Sequence, residues 1–219
     1  MSRSWSRLKL WIVATVVVLV SAGTLIAVPA SRYSLLRTLG NALVHSDPLG
    51  PAEVIVISTD SDGAGVLEAA DLVHQGIAPR VALFADPPDA IDREFVRRGV
   101  PYFNAARVEL QQLKSLGITN AEIIPRTVAG TEDEGRILPD WCAEQHLRRI
   151  VFVATRDHSR RTRRVLDRAM RGRQTTVIIR AARFSDFDPD AWWKTRGGVR
   201  TEIQELEKLL LDILRHPLS

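Results

Sequence analysis

The sequence predicts an α/β fold with a mostly parallel sheet of about five strands and helices on both faces. Five short apolar runs rich in β-branched residues are followed by helical patterns. The apolar runs are continuous rather than alternating, which is typical of strands buried on both faces. Alternation of strand and helix favours right-handed βαβ units, and these build a parallel sheet. The predicted strands are 53–58, 80–84, 121–124, 149–154 and 175–179, and the helices between them are 64–75, 91–98, 105–116, 131–146 and 159–171.

Composition and length agree with one globular domain plus additional segments. The chain has 219 residues, of which 45% are hydrophobic and 26% are charged, so a core of useful size can form. Cys142 is the only cysteine, which excludes an intrachain disulfide. A last amphipathic helix is predicted over 199–215, where Ile203, Leu206 and Leu210 begin an apolar stripe.

The N-terminal segment predicts a membrane anchor. Residues 10–28 form an uncharged run of 19 residues, long enough to cross a bilayer as a helix. Arg3, Arg7 and Lys9 precede this run, which by the positive-inside rule keeps the N-terminus cytoplasmic and exports the rest. The alternative is a cleaved signal peptide, because small residues at 28–30 suit a signal peptidase.

These features divide the chain into four parts. A cytoplasmic N-terminus (1–9) precedes the transmembrane helix (10–28), a juxtamembrane segment (29–51) and an α/β domain (52–215). The expected location is a single-pass inner or plasma membrane protein with its C-terminal domain outside the cytoplasm. Membrane lipids are therefore expected partners of the N-terminal helix.

Ligands of open parallel sheets bind beyond the carboxyl ends of the strands, which directs attention to the loops there. The loop after the first predicted strand contains Asp60 and Asp62 and then Gly63 and Gly65. It matches neither a dinucleotide fingerprint nor a Walker A loop. Asp62 is interpreted as a helix N-cap. The alternative is a carboxylate pair that holds a cation.

The loop after the third predicted strand contains Thr131, followed three residues later by Glu134. This spacing is that of a capping box, in which each side chain bonds a backbone amide of the other residue. The same two side chains are candidate ligand-binding residues, because they stand at the carboxyl edge of the sheet.

The loop after the fourth predicted strand is the most informative. It contains Thr155, His158 and Arg161. A histidine exchanges protons near neutral pH, so His158 is a candidate acid or base. Arg161 lies three residues further on, where it shares a helical face with His158 and suits a phosphate or a carboxylate.

Eight arginines occur between Arg156 and Arg173, against two aspartates. The simplest interpretation is a solvated helical face, with Arg163 and Arg164 pointing outward. The alternative is contact with anionic lipid head groups. Nucleic acid is not expected as a partner, because the basic residues lack interleaved aromatic residues and the domain is predicted to be exported.

These motifs together resemble the YdcF-like family of bacterial envelope proteins, which includes the SanA and ElyC types. The resemblance rests on Thr131-Glu132-Asp133-Glu134, on the Thr-x-x-His-x-x-Arg spacing of 155–161, and on Trp192-Trp193 followed by Glu205 and Lys208-Leu209. It covers about residues 52–214. Where the family has a glycine-containing loop and a Ser-Gly-Gly element, this chain has Ser58-Thr59-Asp60 and Ala85-Asp86-Pro87-Pro88.

The resemblance implies a Rossmann-like, three-layer fold and a role in envelope integrity, peptidoglycan precursor or lipid-carrier metabolism. It attaches no secure reaction to the fold, so whether the chain is an enzyme and which cofactor it uses stay open. The leading hypothesis is a pocket for a small anionic or lipid-linked phosphate ligand. His158 is its acid or base, and its ligand-binding residues are Asp60, Thr131, Glu134, Thr155 and Arg161. No metal ligand is assigned. The alternatives are a non-catalytic envelope scaffold and a domain that binds a nucleotide or S-adenosylmethionine.

Overall fold

A computed structural model of the chain describes residues 11–13, 15, 23, 28–102 and 104–218. The strands are β1 (Val54–Ile57), β2 (Val81–Ala85), β3 (Ala121–Thr127), β4 (Arg149–Ala154) and β5 (Thr176–Ala181). The helices from residue 29 onward are α1 (Pro29–Ala42), α2 (Asp62–His74), α3 (Ala90–Arg97), α4 (Ala105–Ser115), α5 (Thr131–Glu144), α6 (Arg156–Ala169) and α7 (Arg196–Arg215). Short 3₁₀ helices cover Thr59–Ser61 and Trp192–Lys194.

The five strands form one parallel sheet in the order β3-β2-β1-β4-β5. This confirms the predicted α/β class, the parallel sheet and its Rossmann-like layout. β1 and β2 are buried along their whole length, in agreement with their continuous apolar sequence. β3 extends to Thr127, beyond its predicted end, and its pairing with β2 shifts register between Leu83 and Ala85.

Two apolar layers cover the sheet. Ile55 and Ile57 of β1 belong to a cluster with residues of α2 and α4, whereas Val54 and Val56 belong to a cluster with residues of α5 and α6. Successive side chains of a strand point to opposite faces, so one short strand contributes to both layers. The result is the expected three-layer arrangement of helix, sheet and helix.

The segment after α1 covers the outer edge of the sheet. The backbone N–H of Asp47 donates to the carbonyl of Ile179 in β5, at 2.9 Å, and the N–H of Ile179 donates to the Asp47 carboxylate, at 2.8 Å. Arg163 of α6 donates to the same carboxylate, at 3.0 Å. Because an open strand edge invites pairing with another chain, these bonds protect β5.

The predicted transmembrane helix, residues 10–28, lies for the most part outside the described residues, as does the N-terminal segment 1–9. Among the helices that the described residues form, none combines the length and the apolar character that crossing a membrane requires.

Helix α1 packs closely against the segment that precedes α7. The indole N–H of Trp192 donates to the carbonyl of Leu36, at 2.8 Å. Gly40 is buried at the contact, and a Cβ added there would lie 2.7 Å from Cδ1 of Trp192 and would also meet the carbonyl oxygen of Pro189. The absence of a side chain at Gly40 therefore permits this approach.

We expect Gly40→Ala to lower the free energy of unfolding by about 1–3 kcal/mol, because the added methyl group overpacks the contact. Urea denaturation of the full chain measures this change. Gly50→Ala is the matched control, since a Cβ at Gly50 meets no atom within 4 Å. A Gly40→Ala variant as stable as Gly50→Ala would contradict the close packing of α1.

Candidate functional site

The strand order creates a crevice at the carboxyl edge of the sheet. The chain adds β2 and β3 on one side of β1 and then crosses over to place β4 and β5 on the other side. The connections after β1 and β4 therefore lead away from each other, which is where open α/β sheets bind ligands. Residues 58–61 follow β1 and residues 155–158 follow β4. The start of α5 contributes a third group, which includes Thr131 and Glu134.

Glu134 connects α5 to the loop after β1. Its carboxylate is fully buried and accepts hydrogen bonds from the Ser58 hydroxyl, at 2.9 Å, and from the backbone N–H of Thr59, at 2.8 Å. The Thr59 hydroxyl adds a third bond, at 3.2 Å. Burial raises the pKa of Glu134 to about 7, in spite of these bonds, and the nearby Asp60 carboxylate contributes to the rise.

The predicted capping box at the start of α5 is not formed. The N-cap is Gly130, with φ of 101°, and no side chain caps the helix. Glu134 instead bonds the β1 loop, because a buried carboxylate gains more from three donors than from one exposed amide. The Thr131 hydroxyl is buried, and no hydrogen-bond partner for it is found in the part of the chain that the structure describes.

The loop after β1 differs from its prediction in one detail. Asp62 is the first residue of α2 rather than its N-cap, and its backbone has φ of 44°. The N-cap is Ser61, whose hydroxyl donates to the carbonyl of Ser58 instead of capping the helix. Asp60 is exposed and acts electrostatically on both Glu134 and His158. No group of three His, Cys, Asp or Glu side chains among the described residues is arranged to hold a metal ion.

His158 lies in the first turn of α6 and not in a loop, since the helix begins at Arg156 with Thr155 as its N-cap. Its Nδ1 is 3.1 Å from the Thr155 hydroxyl, and its Nε2 is 3.0 Å from Oε1 of Glu205 in α7. Burial disfavours the imidazolium, but the hydrogen bond to Glu205 and the charges of Asp157 and Glu205 outweigh it. The pKa of His158 is therefore raised above its ordinary value.

Glu205 is the centre of this cluster. Besides His158, its carboxylate contacts the Lys208 ammonium, at 2.6 Å, and Nη2 of Arg161, at 3.6 Å. Burial opposes its ionisation, yet these three cations lower the pKa of Glu205 to about 2. The carboxylate is buried and ionised, and His158 donates to it from Nε2.

The basic face of α6 is not solvated, which corrects the prediction. Arg164 and Arg168 contact Asp212 of α7, at 2.5 and 2.7 Å. Arg163 donates to Asp47 and to the carbonyl of Val177. Arg163 and Arg164 were both predicted to point outward, but internal acceptors bind them. The helices α6 and α7 therefore meet through complementary charge.

The acidic partners on α7 are not among the predicted site residues. Glu202, Glu205 and Asp212 are buried on one face, at a spacing of three and then seven residues. Arg161 and Arg168 of α6 are seven residues apart, as Glu205 and Asp212 are, and this shared spacing is the signal in the sequence. Glu202 is 1% exposed, neither of its carboxylate oxygens has a hydrogen-bond partner among the described residues, and burial raises its pKa to about 7.

A pocket of about 360 Å³ opens beside Arg161, between the start of α5, α6 and the end of α7. Arg161, Lys208 and Arg215 supply three cations to its lining, and Glu132 and Asp212 supply two carboxylates, of which Asp212 is already neutralised by arginines of α6. The guanidinium Nε of Arg161 is buried and has no hydrogen-bond partner in the described part of the chain. Such a pocket has the size and charge for a small anion.

The structure thus forms two polar groups from the predicted residues. Thr155, His158 and Arg161 converge on Glu205, whereas Glu134 joins the loop that carries Asp60. The side chain of Asp60 connects the two groups electrostatically. One group holds a carboxyl whose pKa is raised to about 7, and the other holds a histidine whose pKa is raised above its ordinary value. Such an arrangement is suited to binding an anion and to exchanging a proton.

Neither a known protein family nor a characterised protein sequence matches the chain. Among solved structures, the rRNA methyltransferase aviRa from Streptomyces viridochromogenes is similar at 14% identity and a TM-score of 0.29, over 70% of this chain and 74% of that one. The reductase domain of an aureusimine biosynthetic cluster is similar at 10% identity and a TM-score of 0.26, over 59% of this chain and 42% of that one. Similarity at this level carries no functional argument.

We expect Glu134→Gln to change how stability depends on pH. The pKa of Glu134 is higher in the folded chain, about 7, than the ordinary 4.5, so the native state binds the extra proton between these values. The wild-type chain therefore loses stability as pH rises through this window, and a glutamine does not titrate. Relative to wild type, the variant should gain about 1–3 kcal/mol between pH 4.5 and pH 8. Urea denaturation across this range measures the difference, and parallel stability curves would contradict the shifted pKa.

Proposed function

We propose that this chain is a membrane-anchored envelope protein of the YdcF-like type whose α/β domain binds a small anionic ligand in the pocket between α5, α6 and α7. The ligand class is a phosphate or a carboxylate, either free or at the head of a lipid-linked molecule. In this proposal, residues 10–28 anchor the chain and the domain lies outside the cytoplasm, near substrates of envelope metabolism.

The observation that carries the proposal is the excess of positive charge around Glu205. Arg161 and Lys208 are two cations that share the single carboxylate of Glu205, at 3.6 and 2.6 Å. His158 contacts the same carboxylate, and Oδ2 of Asp157 is 3.5 Å from its Nε2. Two cations on one carboxylate leave positive charge in excess. Arg161 and Lys208 also line the pocket, so this charge is available to an anion there.

The residues then have distinct roles. Arg161 binds the ligand through its guanidinium, because this residue lines the pocket. His158 does not line the pocket, and both of its ring nitrogens are engaged by Thr155 and Glu205. It is therefore a positioning residue that bonds Glu205, a carboxylate that Arg161 also contacts. As a proton donor, His158 would first have to lose its contact with Glu205.

A non-catalytic scaffold is the second candidate, and one observation favours it. The polar side chains at the crevice already bond other groups of the chain. Glu134 bonds the loop after β1, and His158 contacts Thr155 and Glu205. In a scaffold these bonds fix the shape of the domain, and partners bind elsewhere. Binding of a nucleotide or S-adenosylmethionine stays an expectation that rests on the resemblance alone.

We expect Arg161→Met to weaken binding of inorganic phosphate by about ten- to a hundredfold, because a charge-assisted hydrogen bond is lost while the alkyl stem remains. Calorimetric titration of the full chain measures the dissociation constant. Arg136→Met is the matched control, because Arg136 is exposed and, among the described residues, forms its ion pair with Asp133 of its own helix.

Equal phosphate affinity in wild type and Arg161→Met would reject the anion pocket. Complementation of an envelope-sensitivity phenotype separates the two candidates. If Arg161→Met abolishes phosphate binding but still complements fully, the scaffold is correct. If His158→Ala and Arg161→Ala both fail to complement while thermal melting shows that they are folded, the ligand-binding function is supported.

A further inference from the structure

A second and larger concavity lies on the other side of α7 from the anion pocket. It is an open groove of about 1300 Å³ between α1, α6, α7 and the 3₁₀ helix at Trp192–Lys194. Its walls are largely apolar. Tyr33 of α1 stacks on Trp193, with ring centroids 6.0 Å apart and planes 25° apart, and Leu209 and Ile213 of α7 form the facing wall.

The walls of this groove are held in fixed positions. Close packing at Gly40 places α1 against residues 189–192. The Trp192 indole bonds the backbone of α1, and the Asn41 amide donates to Asp190, at 3.3 Å. Leu43, at the end of α1, is buried with Leu209 of α7. The groove is therefore part of the folded domain and needs no rearrangement to exist.

Arg160 gives the groove its chemical character. This partly buried side chain donates from Nη2 to the carbonyl of Val44, at 2.7 Å, and its Nε is buried without a hydrogen-bond partner. No carboxylate in the described part of the chain lies within ion-pair distance of its guanidinium. Its neighbours in sequence differ, because Arg161, Arg163 and Arg164 all have carboxylate partners. A guanidinium without a counter-ion, beside aromatic walls, points to an anionic ligand.

The other charged residues of the groove also leave an excess of positive charge. Arg37 and Lys194 also line it, and Asp190 is the single acid among the lining residues. Asp190 is 4.0 Å from Arg37, so that pair is neutral. Arg160 and Lys194 are left uncompensated within the groove. The apolar walls and the two cations are complementary to the two halves of an amphiphile: the walls to a hydrocarbon chain, and the cations to an anionic head.

We infer that this groove binds an anionic amphiphile, a phosphate that bears a hydrocarbon chain. The phosphate lies against the Arg160 guanidinium, and the chain lies along Tyr33, Trp193, Leu209 and Ile213. This site goes beyond the anion pocket at Arg161 and does not depend on it. The two arginines are adjacent in sequence but line different cavities, on either side of α7.

The test uses dodecyl phosphate titrated calorimetrically into the full chain held in dodecyl maltoside. The critical variants are Ile213→Glu and its neighbour Leu214→Glu. Both add the same negative charge to exposed positions of α7, but Ile213 lines the groove and Leu214 does not. Ile213→Glu should weaken binding at least about tenfold, and Leu214→Glu should leave it within about twofold. Arg160→Met should also weaken binding at least about tenfold, the effect of losing one charge-assisted bond.

Two further probes separate the amphiphile from its parts. Inorganic phosphate should not compete at millimolar concentration, and octyl phosphate should bind more weakly than dodecyl phosphate, since each buried methylene contributes about fourfold. In an Arg161→Met background, Ile213→Glu should still weaken dodecyl phosphate binding at least about tenfold, which separates this site from the anion pocket. The proposal is overturned if wild type does not bind, if Ile213→Glu and Leu214→Glu behave alike, or if millimolar inorganic phosphate displaces dodecyl phosphate.

Discussion

The buried carboxylate of Glu205 is the group on which the site depends. It lies in the interior with three cations around it, and its pKa falls to about 2 although burial opposes the charge. Removing one partner of a buried ionic group leaves the other charge uncompensated, at a cost of about 3–5 kcal/mol. Glu205 therefore fixes the position of α7 against α6, and it raises the pKa of His158. The contacts of Asp212 with Arg164 and Arg168 extend the same interface along both helices.

This interface also determines where ligands are proposed to bind. Because α7 lies on the basic face of α6, it separates two cavities, the anion pocket beside Arg161 and the groove beside Arg160. Successive residues of a helix point about 100° apart, so adjacent arginines reach opposite sides of α7. One cavity is small and polar, and the other is large and apolar with a cation at its wall. The fold thus places two chemically different environments next to one ionic contact.

The fold was predictable from sequence because its signals are local. The continuous apolar run at β1 predicted a strand buried on both faces, which is what the structure shows. The alternation of strands and helices predicted the parallel sheet. The side chains at the site were predictable because they follow strands in the sequence. Their hydrogen-bond and ion-pair partners were not predictable. Thr131 and Glu134 have the spacing of a capping box, yet Glu134 bonds Ser58 and Thr59, which are distant in sequence. Helical periodicity predicts which face of α6 each arginine lies on. It does not show that the acidic residues of α7 cover one of these faces.

The charge state of His158 tests the central claim most directly, since it reports the Glu205 cluster from within. The measurement is an NMR titration of the His158 ring in the full chain, assigned by the loss of its signal in His158→Gln. The account predicts a pKa above the ordinary 6.5 in wild type and a clear fall in Glu205→Gln, because the carboxylate that stabilises the imidazolium is gone. A wild-type pKa at or below 6.5, or a value that Glu205→Gln leaves unchanged, would contradict it.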